Sequence, residues 1–358
     1  MLRPSRELVR PSRWRKLGRA LAWTAVVVSF PLWLAAFAVV PFLPLEAAAK
    51  VGAVALCIAL SEALFWSGGL VLGASMLARF RAPKVTTCKS FQGLRVVIVG
   101  ATGGLGSAIA RAVQREGGQP VLVGRDSARL AALAEELQAS TLQLDLNDTA
   151  AIDACAGSLA ALGPISHLVC AAGADVRKPF LSHSAEELER LLQLNWRAPL
   201  LLTRAFLPYL QPSATIALIG GAGDGHLPSP YRVPDAASRS GLASFCHGIN
   251  QELALEGYDV RVCYVSPAPT DTETERPFAA LWASLGSPLV PPTRVADVVL
   301  RALLARQGRA IMGVGTRALC ALNALCPALG GWLVRRSLGA KLNAHFGEHS
   351  GEHGGEHG

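Results

Sequence analysis

The stretch RVVIVGATGGLGSAIARAVQREGG, residues 95–118, narrows the fold more than any other part of the chain. A β-branched apolar run ends in a turn built on Gly100, Gly104 and Gly106, and a helix-period segment follows without a break. Residues without a Cβ let a backbone come close to an anion, and the helix that follows directs free N–H groups and its positive dipole end to the same place. The turn is expected to hold a pyrophosphate.

The alternation continues downstream. Strand-like runs recur at PVLVG (120–124), TLQLDL (141–146), SHLVCAAG (166–173), ATIALIG (214–220) and VRVCYVS (260–266), and helical segments such as SARLAALAEEL lie between them. Short buried strands alternating with helices imply a parallel sheet covered on both faces, an α/β, doubly wound, Rossmann-type fold over residues 93–310.

Before it lie two apolar runs. Ala20–Leu45 holds 26 residues without a charge, and Val51–Ala78 is interrupted only by Glu62; the connecting segment EAAAK makes them a transmembrane hairpin over 20–78. Glu62 would cost about 2.5–3.5 kcal/mol at a bilayer centre unless it faces the partner helix. The net charge of +8 is concentrated in the segment 1–19, where Arg3, Arg6, Arg10, Arg13, Arg15, Lys16 and Arg19 face only Glu7. With Arg79, Arg81, Lys84 and Lys89 in the linker 79–92, this puts both ends of the hairpin on the cytosolic side. Charge that flanks apolar spans argues for a membrane and against nucleic acid as the partner. The endoplasmic reticulum with a cytosol-facing domain fits best, and another organelle membrane stays open. Eight scattered cysteines without a CxxC pair fit a reducing compartment. After the sheet, 311–346 is apolar but broken by Arg317 and Pro327, which suits a membrane-associated interfacial segment, and 347–358 repeats GEH in a disordered polar tail with no metal role.

VGATGGLGSAIA resembles the TGxxxGxG fingerprint of the short-chain dehydrogenase/reductase family, with Val99 in place of the usual threonine. The likeness runs on in order: Asp145 in LQLDLND, CAAG at 170–173, Asn195 in LLQLNWRAPL and PAPTDT at 267–272. It implies a nucleotide held by Gly100, Thr102, Gly104, Leu105, Gly106, Asp145, Ala171, Gly173, Arg239, Pro267 and Thr272. Where family members choosing NAD end the second strand with an acid, this chain has Gly124 followed by Arg125, which favours NADP over NAD; Asp126 argues the other way.

The resemblance also implies a catalytic serine, tyrosine, lysine and asparagine. In DAASRSGL, Asp235 stands at the tyrosine and Arg239 at the lysine, Gly221 stands at the serine, and Asn195 alone keeps the family residue, whose role there is to position a water. A carboxylate beside a guanidinium is driven towards ionisation and is a poor acid, and an arginine does not give up its proton. Tyr231 and His226 are the nearest substitutes. Two readings stay open. One is a membrane-anchored NADP-dependent oxidoreductase of a hydrophobic small molecule, a ketosphinganine, steroid or long-chain acyl carbonyl or hydroxyl; the resemblance is nearest in feel to 3-ketosphinganine reductase-like members. The other is an inactive nucleotide-binding protein with a regulatory or scaffolding role. Whether the chain forms a homo-oligomer is also open.

Overall fold

The structure is a computed structural model that describes residues 13–80, 90–221, 223 and 227–346. Arg3, Arg6, Arg10, Arg81, Lys84, Cys88, Lys89, His226 and the 347–358 tail lie outside the described residues. The described residues divide into two compact units, one holding residues 13–80 and the other those from 90 to 346.

The first unit is a pair of packed helices, α1 (Arg13–Ala38) and α2 (Ala47–Phe80). Each contains a stretch long and apolar enough to cross a bilayer, Leu21–Phe42 with mean hydropathy 2.2 and Ala47–Leu70 with 1.8. Close approach depends on Gly68, where a Cβ would lie 2.7 Å from the Ala22 carbonyl oxygen. Phe30 and Phe65 meet edge to face at 6.2 Å between ring centroids. The chain reverses earlier than EAAAK: Pro41 and Pro44 end α1, Ala47–Lys50 already belong to α2, and the Lys50 ammonium donates to the Pro41 carbonyl at 3.0 Å. Glu62 is exposed and accepts from Trp66 Nε1 at 2.8 Å, one turn on along its own helix, rather than meeting α1.

The second unit is a seven-stranded parallel sheet in the order β3-β2-β1-β4-β5-β6-β7. Its strands are β1 (Arg95–Val99), β2 (Gln119–Gly124), β3 (Ser140–Gln143), β4 (Ile165–Cys170), β5 (Leu210–Ile219), β6 (Val260–Ser266) and β7 (Arg309–Ile311). Helices α3 (Gly104–Arg115), α4 (Ser127–Leu137) and α10 (Pro292–Leu304) cover one face. On the other lie α5 (Thr149–Ala161), α7 (Ala198–Phe206) and α8 (Val233–Glu256), with α6 (Ala185–Leu192) just before α7. The apolar runs are continuous because both faces are buried. Val97, Val99, Leu168, Ile216 and Tyr264 enter one core, whereas Val96, Ile98, Val169, Ala217 and Val265 enter the other. Beyond the sheet come α9 (Ala279–Ser284), α11 (Val314–Leu325) and α12 (Pro327–Phe346).

Strand bounds differ from the expectation: β4 ends at Cys170 rather than Gly173, and β5 begins at Leu210 rather than Ala214. β3 stops at Gln143 instead of running to Leu146, because the Asp145 carboxylate accepts from the Asn147 amide at 3.0 Å and turns the chain. β7 is three residues long, too short for its period to be read. Strand order reverses between β1 and β4, and ligands of such sheets bind in the crevice outside the carboxyl ends at this point.

His167 sits inside the sheet at 1% exposure, its Nδ1 accepting the Thr215 N–H at 3.1 Å. Burial, reinforced by the charge of Arg306, pushes the imidazole down to about 4. In the unfolded chain the imidazole protonates at about 6.5 while the folded chain resists, so the His167 contribution to stability is level above that pH and falls as the pH drops towards 4, by about 3 kcal/mol in all. Thermal melts across this range should show the decline, and His167→Gln, which keeps an acceptor but cannot titrate, should flatten it.

Candidate functional site

The carboxyl ends of β1 and β4 converge on the glycine turn. Gly100 has φ +82°, and a Cβ there would lie 2.5 Å from the Ala172 nitrogen. At Gly106 it would lie 2.1 Å from the Gly100 carbonyl oxygen, and at Gly104 2.9 Å from the Thr272 methyl. Each glycine thus permits a different close approach: loop to β4 exit, helix to loop, and helix to the segment after β6. Gly103 caps α3 without a side-chain hydrogen bond, which leaves the leading amides of the helix for a bound group.

Two adjoining clefts share Gly103 and Ala171–Gly173. One, of about 270 Å³, is lined by Gly100, Thr102, Arg125, Asp145 and Leu146 and has the make-up of an adenosine site. Its walls are set by local bonds: Asp145 Oδ1 accepts from the Asn147 amide and side chain, and Gln143 Nε2 donates to the Arg125 carbonyl at 3.0 Å. The Arg125 guanidinium is exposed and makes no ion pair among the described residues. Asp126, the residue that argued for NAD, is committed elsewhere. Its carboxylate caps α4 by accepting from the Arg129 amide at 3.0 Å, and it lies 3.6 Å from the Arg129 guanidinium. At Gly124, where a Cβ would lie 3.4 Å from Thr102 Oγ1, no acid stands to contact a ribose 2′-hydroxyl, and the neighbouring Arg125 fits a 2′-phosphate.

The second cleft, of about 230 Å³, is lined by Gly104, Leu105, Gly221, Arg239, Pro267 and Thr272, with Trp282 at its edge. Gly221 offers no side chain, and its carbonyl accepts from Ser266 Oγ at 2.8 Å. The same hydroxyl accepts the Gly223 amide at 3.1 Å, so Ser266 is taken up by the loop.

Behind this cleft lies a buried polar cluster. Asp235 opens α8 and is fully buried. Its Oδ1 accepts from Arg239 Nε at 2.7 Å and from Asn195 Nδ2 at 2.9 Å, and its Oδ2 from Arg232 Nη2 at 2.6 Å. Asn195 is carried by a π-helical turn, Gln193–Arg197, between α6 and α7. Its Oδ1 accepts the Ala174 amide and its Nδ2 also donates to the Ala174 carbonyl, both at 2.8 Å. Both amide protons are therefore committed to protein atoms, and the water-positioning role implied by the resemblance has no free donor here. Arg239 Nη1 reaches the Ile219 carbonyl at 3.3 Å. The fold brings Asn195, Asp235 and Arg239 together, and of the three only Arg239 lines the cleft. A Cβ at Gly173 would lie 3.0 Å from Asn195 Oδ1 and 3.2 Å from Arg239 Nη2, so the β4 exit is packed onto the same cluster.

Several members of this cluster went unread in the sequence. Arg232 also reaches Asp175 at 3.5 Å, and Arg177 joins Asp175 to Glu275. Burial opposes ionisation of Asp175, but the charges of Arg232 and Arg177 outweigh it and hold the carboxyl below its ordinary range. Glu275 accepts from Trp282 Nε1 at 2.7 Å, and the Arg177 guanidinium lies 4.3 Å from the Phe278 ring centroid. The only sequence signal was opposite charge beside each motif: ADVRK after CAAG, YR before PDAAS, and TETER around PAPTDT. Tyr231 is not a substitute acid. At φ +63° its hydroxyl donates to Asn343 Oδ1 at 2.9 Å, and its ring stacks on Phe346 at 5.1 Å.

Removing Asp235 would take from the partly buried Arg232 and Arg239 the anion they share. Breaking such a cluster costs about 3–5 kcal/mol. Asp235→Ala should therefore lower the melting temperature by about 10 °C, whereas an exposed control such as Glu135→Ala should leave it within a degree or two.

The comparisons agree with this geometry. The family described as short chain dehydrogenase matches residues 95–280, just over half of the chain. Dehydrogenase/reductase SDR family member 7B of Bos taurus is 31% identical over 186 residues, 48% of this chain and 56% of that protein, so the match spans little more than half of the relative's length. A very-long-chain 3-oxoacyl-CoA reductase of Meyerozyma guilliermondii is 28% identical over 48% of this chain and 55% of its own. Among solved structures, a short chain dehydrogenase from Burkholderia cenocepacia in complex with NADP superposes with TM-score 0.58 at 22% identity, over 62% of this chain and 97% of that one. BdcA in complex with NADPH gives 0.56 at 24%, over 62% and 93%. The chain belongs to the short-chain dehydrogenase family of oxidoreductases.

Proposed function

We propose that the chain is a membrane-tethered, NADP(H)-binding short-chain dehydrogenase in which tyrosine-driven ketone reduction is silenced, and that it acts as a nucleotide-dependent regulatory or scaffolding protein. The observation that carries this reading is Asp235, buried and bound through both oxygens, at the position where the resemblance implies a tyrosine.

When bound, the nucleotide supplies a hydride at its nicotinamide. Gly100, Gly104 and Gly106 let the turn, α3, the β4 exit and Thr272 close together around the place where a pyrophosphate would lie, Arg125 would meet a 2′-phosphate, and Arg239 and Thr272 line the cleft at the other end. A ketone accepting that hydride also needs a proton. An arginine does not release one, and a carboxylate occupied by two guanidiniums and an amide presents none to the cleft. At Gly221 the donor that would polarise the carbonyl is absent, a loss worth about 3 kcal/mol in comparable sites.

A second reading keeps a specific observation in its favour. The 230 Å³ cleft remains beside Gly221, and one relative is named as a 3-oxoacyl-CoA reductase. On that reading the substrate is a lipid carbonyl or hydroxyl of ketosphinganine, steroid or long-chain acyl type, and its proton comes by a route that bypasses Asp235. Both readings place the anchor in the two apolar N-terminal helices and the nucleotide domain on the cytosolic side, in the endoplasmic reticulum.

Fluorescence titration of the detergent-solubilised chain should show NADPH binding tighter than NADH by about 10- to 100-fold, the worth of a charge-assisted contact to the 2′-phosphate. Arg125→Ala should erase that preference. Steady-state assays with 3-ketosphinganine, a long-chain 3-oxoacyl thioester and a steroid ketone should show no turnover. Turnover by the unmodified chain would select the second reading, and failure to bind either nucleotide would sink both.

A further inference from the structure

Residues 298–346 contain seven basic side chains, Arg301, Arg306, Arg309, Arg317, Arg335, Arg336 and Lys341, and no aspartate or glutamate. Arg306 is buried and paired with Asp259 at 2.7 Å, and Lys341 donates to the Ser284 carbonyl. The other five are exposed and make no ion pair among the described residues.

Three of them, Arg301, Arg309 and Arg317, line a groove of about 990 Å³ between α10, β7 and α11, whose floor is apolar with Leu304, Ile311 and Ala321. No acidic residue lines it. At 3.6 residues per turn, Val314 and Leu325 flank the face of α11 that carries Arg317 and Ala321, and they are 76% and 86% exposed. On α12, Leu329, Trp332 and Arg336 share one stripe; Leu329 is 40% and Trp332 49% exposed, while Gly330 and Val334 turn inward. A Cβ at Gly330 would lie 2.1 Å from Asn323 Oδ1, so the two helices are held closely together.

We propose that the α11–α12 pair and its arginine groove form a docking face for an anionic phospholipid surface. Five guanidiniums that make no ion pair among the described residues, Asp297 beside Arg301 being taken by Arg115, complement a negative headgroup layer, and the leucines, valine and tryptophan among them suit the boundary between headgroups and acyl chains. Arginine stems lie along apolar surface with their heads in the polar layer. A nucleic acid would neutralise the same charges, but it gives exposed aliphatic side chains nothing to enter, so the lipid surface accounts for both halves of the pattern. The inference rests on the membrane tether of the preceding reading only in that the tether brings the chain to a bilayer.

The full chain is inserted into nanodiscs of phosphatidylcholine alone or with phosphatidylserine, and hydrogen exchange is followed in peptides covering 309–336. Peptides from β5 and β6 serve as a folding control. With phosphatidylserine, exchange in 309–336 should slow by tenfold or more. Arg301→Gln/Arg309→Gln/Arg317→Gln should lower the docked population by about fivefold per arginine. Leu325→Ser/Trp332→Ser should remove the protection although every charge is kept. Equal exchange in the two disc types overturns the proposal, as does the same protection produced by heparin or an oligonucleotide on the detergent-solubilised chain. Where a variant loses β5 and β6 protection, the comparison of the unmodified chain in the two disc types decides alone. A chain that fails to enter either disc contradicts the tether, a result distinct from insertion without headgroup dependence.

Discussion

A carboxylate taken wholly out of water survives only if its charge is answered on the spot, and Asp235 is answered three times, by Arg232, Arg239 and Asn195. Much of the site follows from that need. Arg239 must reach back along α8, Arg232 must stand just before it, and Asn195 must be pushed inward by a π-helical turn. Gly173 must lack a side chain to let the β4 exit close over them. The result is a rigid polar floor under the cleft, well suited to hold the loops that surround a nucleotide and poorly suited to move a proton.

The other end of the crevice depends on space rather than charge. Gly100, Gly104 and Gly106 exist because three backbones and the Thr272 side chain come within a few ångströms of one another, and a methyl group at any of them would collide. Steric need keeps this half of the site in shape whether or not the chain performs chemistry. Binding and turnover thus rest on different physical requirements, and a chain can retain the first while the second is lost.

The fold was legible because its signals are local. Alternation of Val96 and Ile98 with Val97 and Val99 follows from a sheet buried on both faces, and the glycine turn is contiguous with its strand and helix. β7 escaped because three residues carry no period, and β3 was overdrawn because Asp145 turns the chain through a side-chain bond that apolar periodicity does not register. At the site, Asp235, Arg239, Asn195 and Gly221 could be placed from motif spacing. Asp175, Arg177, Arg232 and Glu275 were not: the short pairings of Arg232 with Asp235 and of Arg177 with Asp175 read as ordinary neighbouring charges, and the carboxylates that Arg232 and Arg177 meet 57 and 98 positions away follow from no local pattern. The commitment of Asp126 to the cap of α4 was equally invisible, since an acid just after a strand reads the same whether it holds a ribose or a helix end.

If the ion-paired floor is what separates binding from turnover, rebuilding the relay should restore chemistry on a nucleotide site that needs no other change. The most direct measurement is NADPH oxidation, in the presence of a long-chain 3-oxoacyl thioester, by the unmodified chain and by a Gly221→Ser/Asp235→Tyr/Arg239→Lys variant of equal NADPH affinity. The account predicts oxidation by the variant and none above background by the unmodified chain. Equal oxidation by both would contradict it, because the proton would then be arriving without a tyrosine.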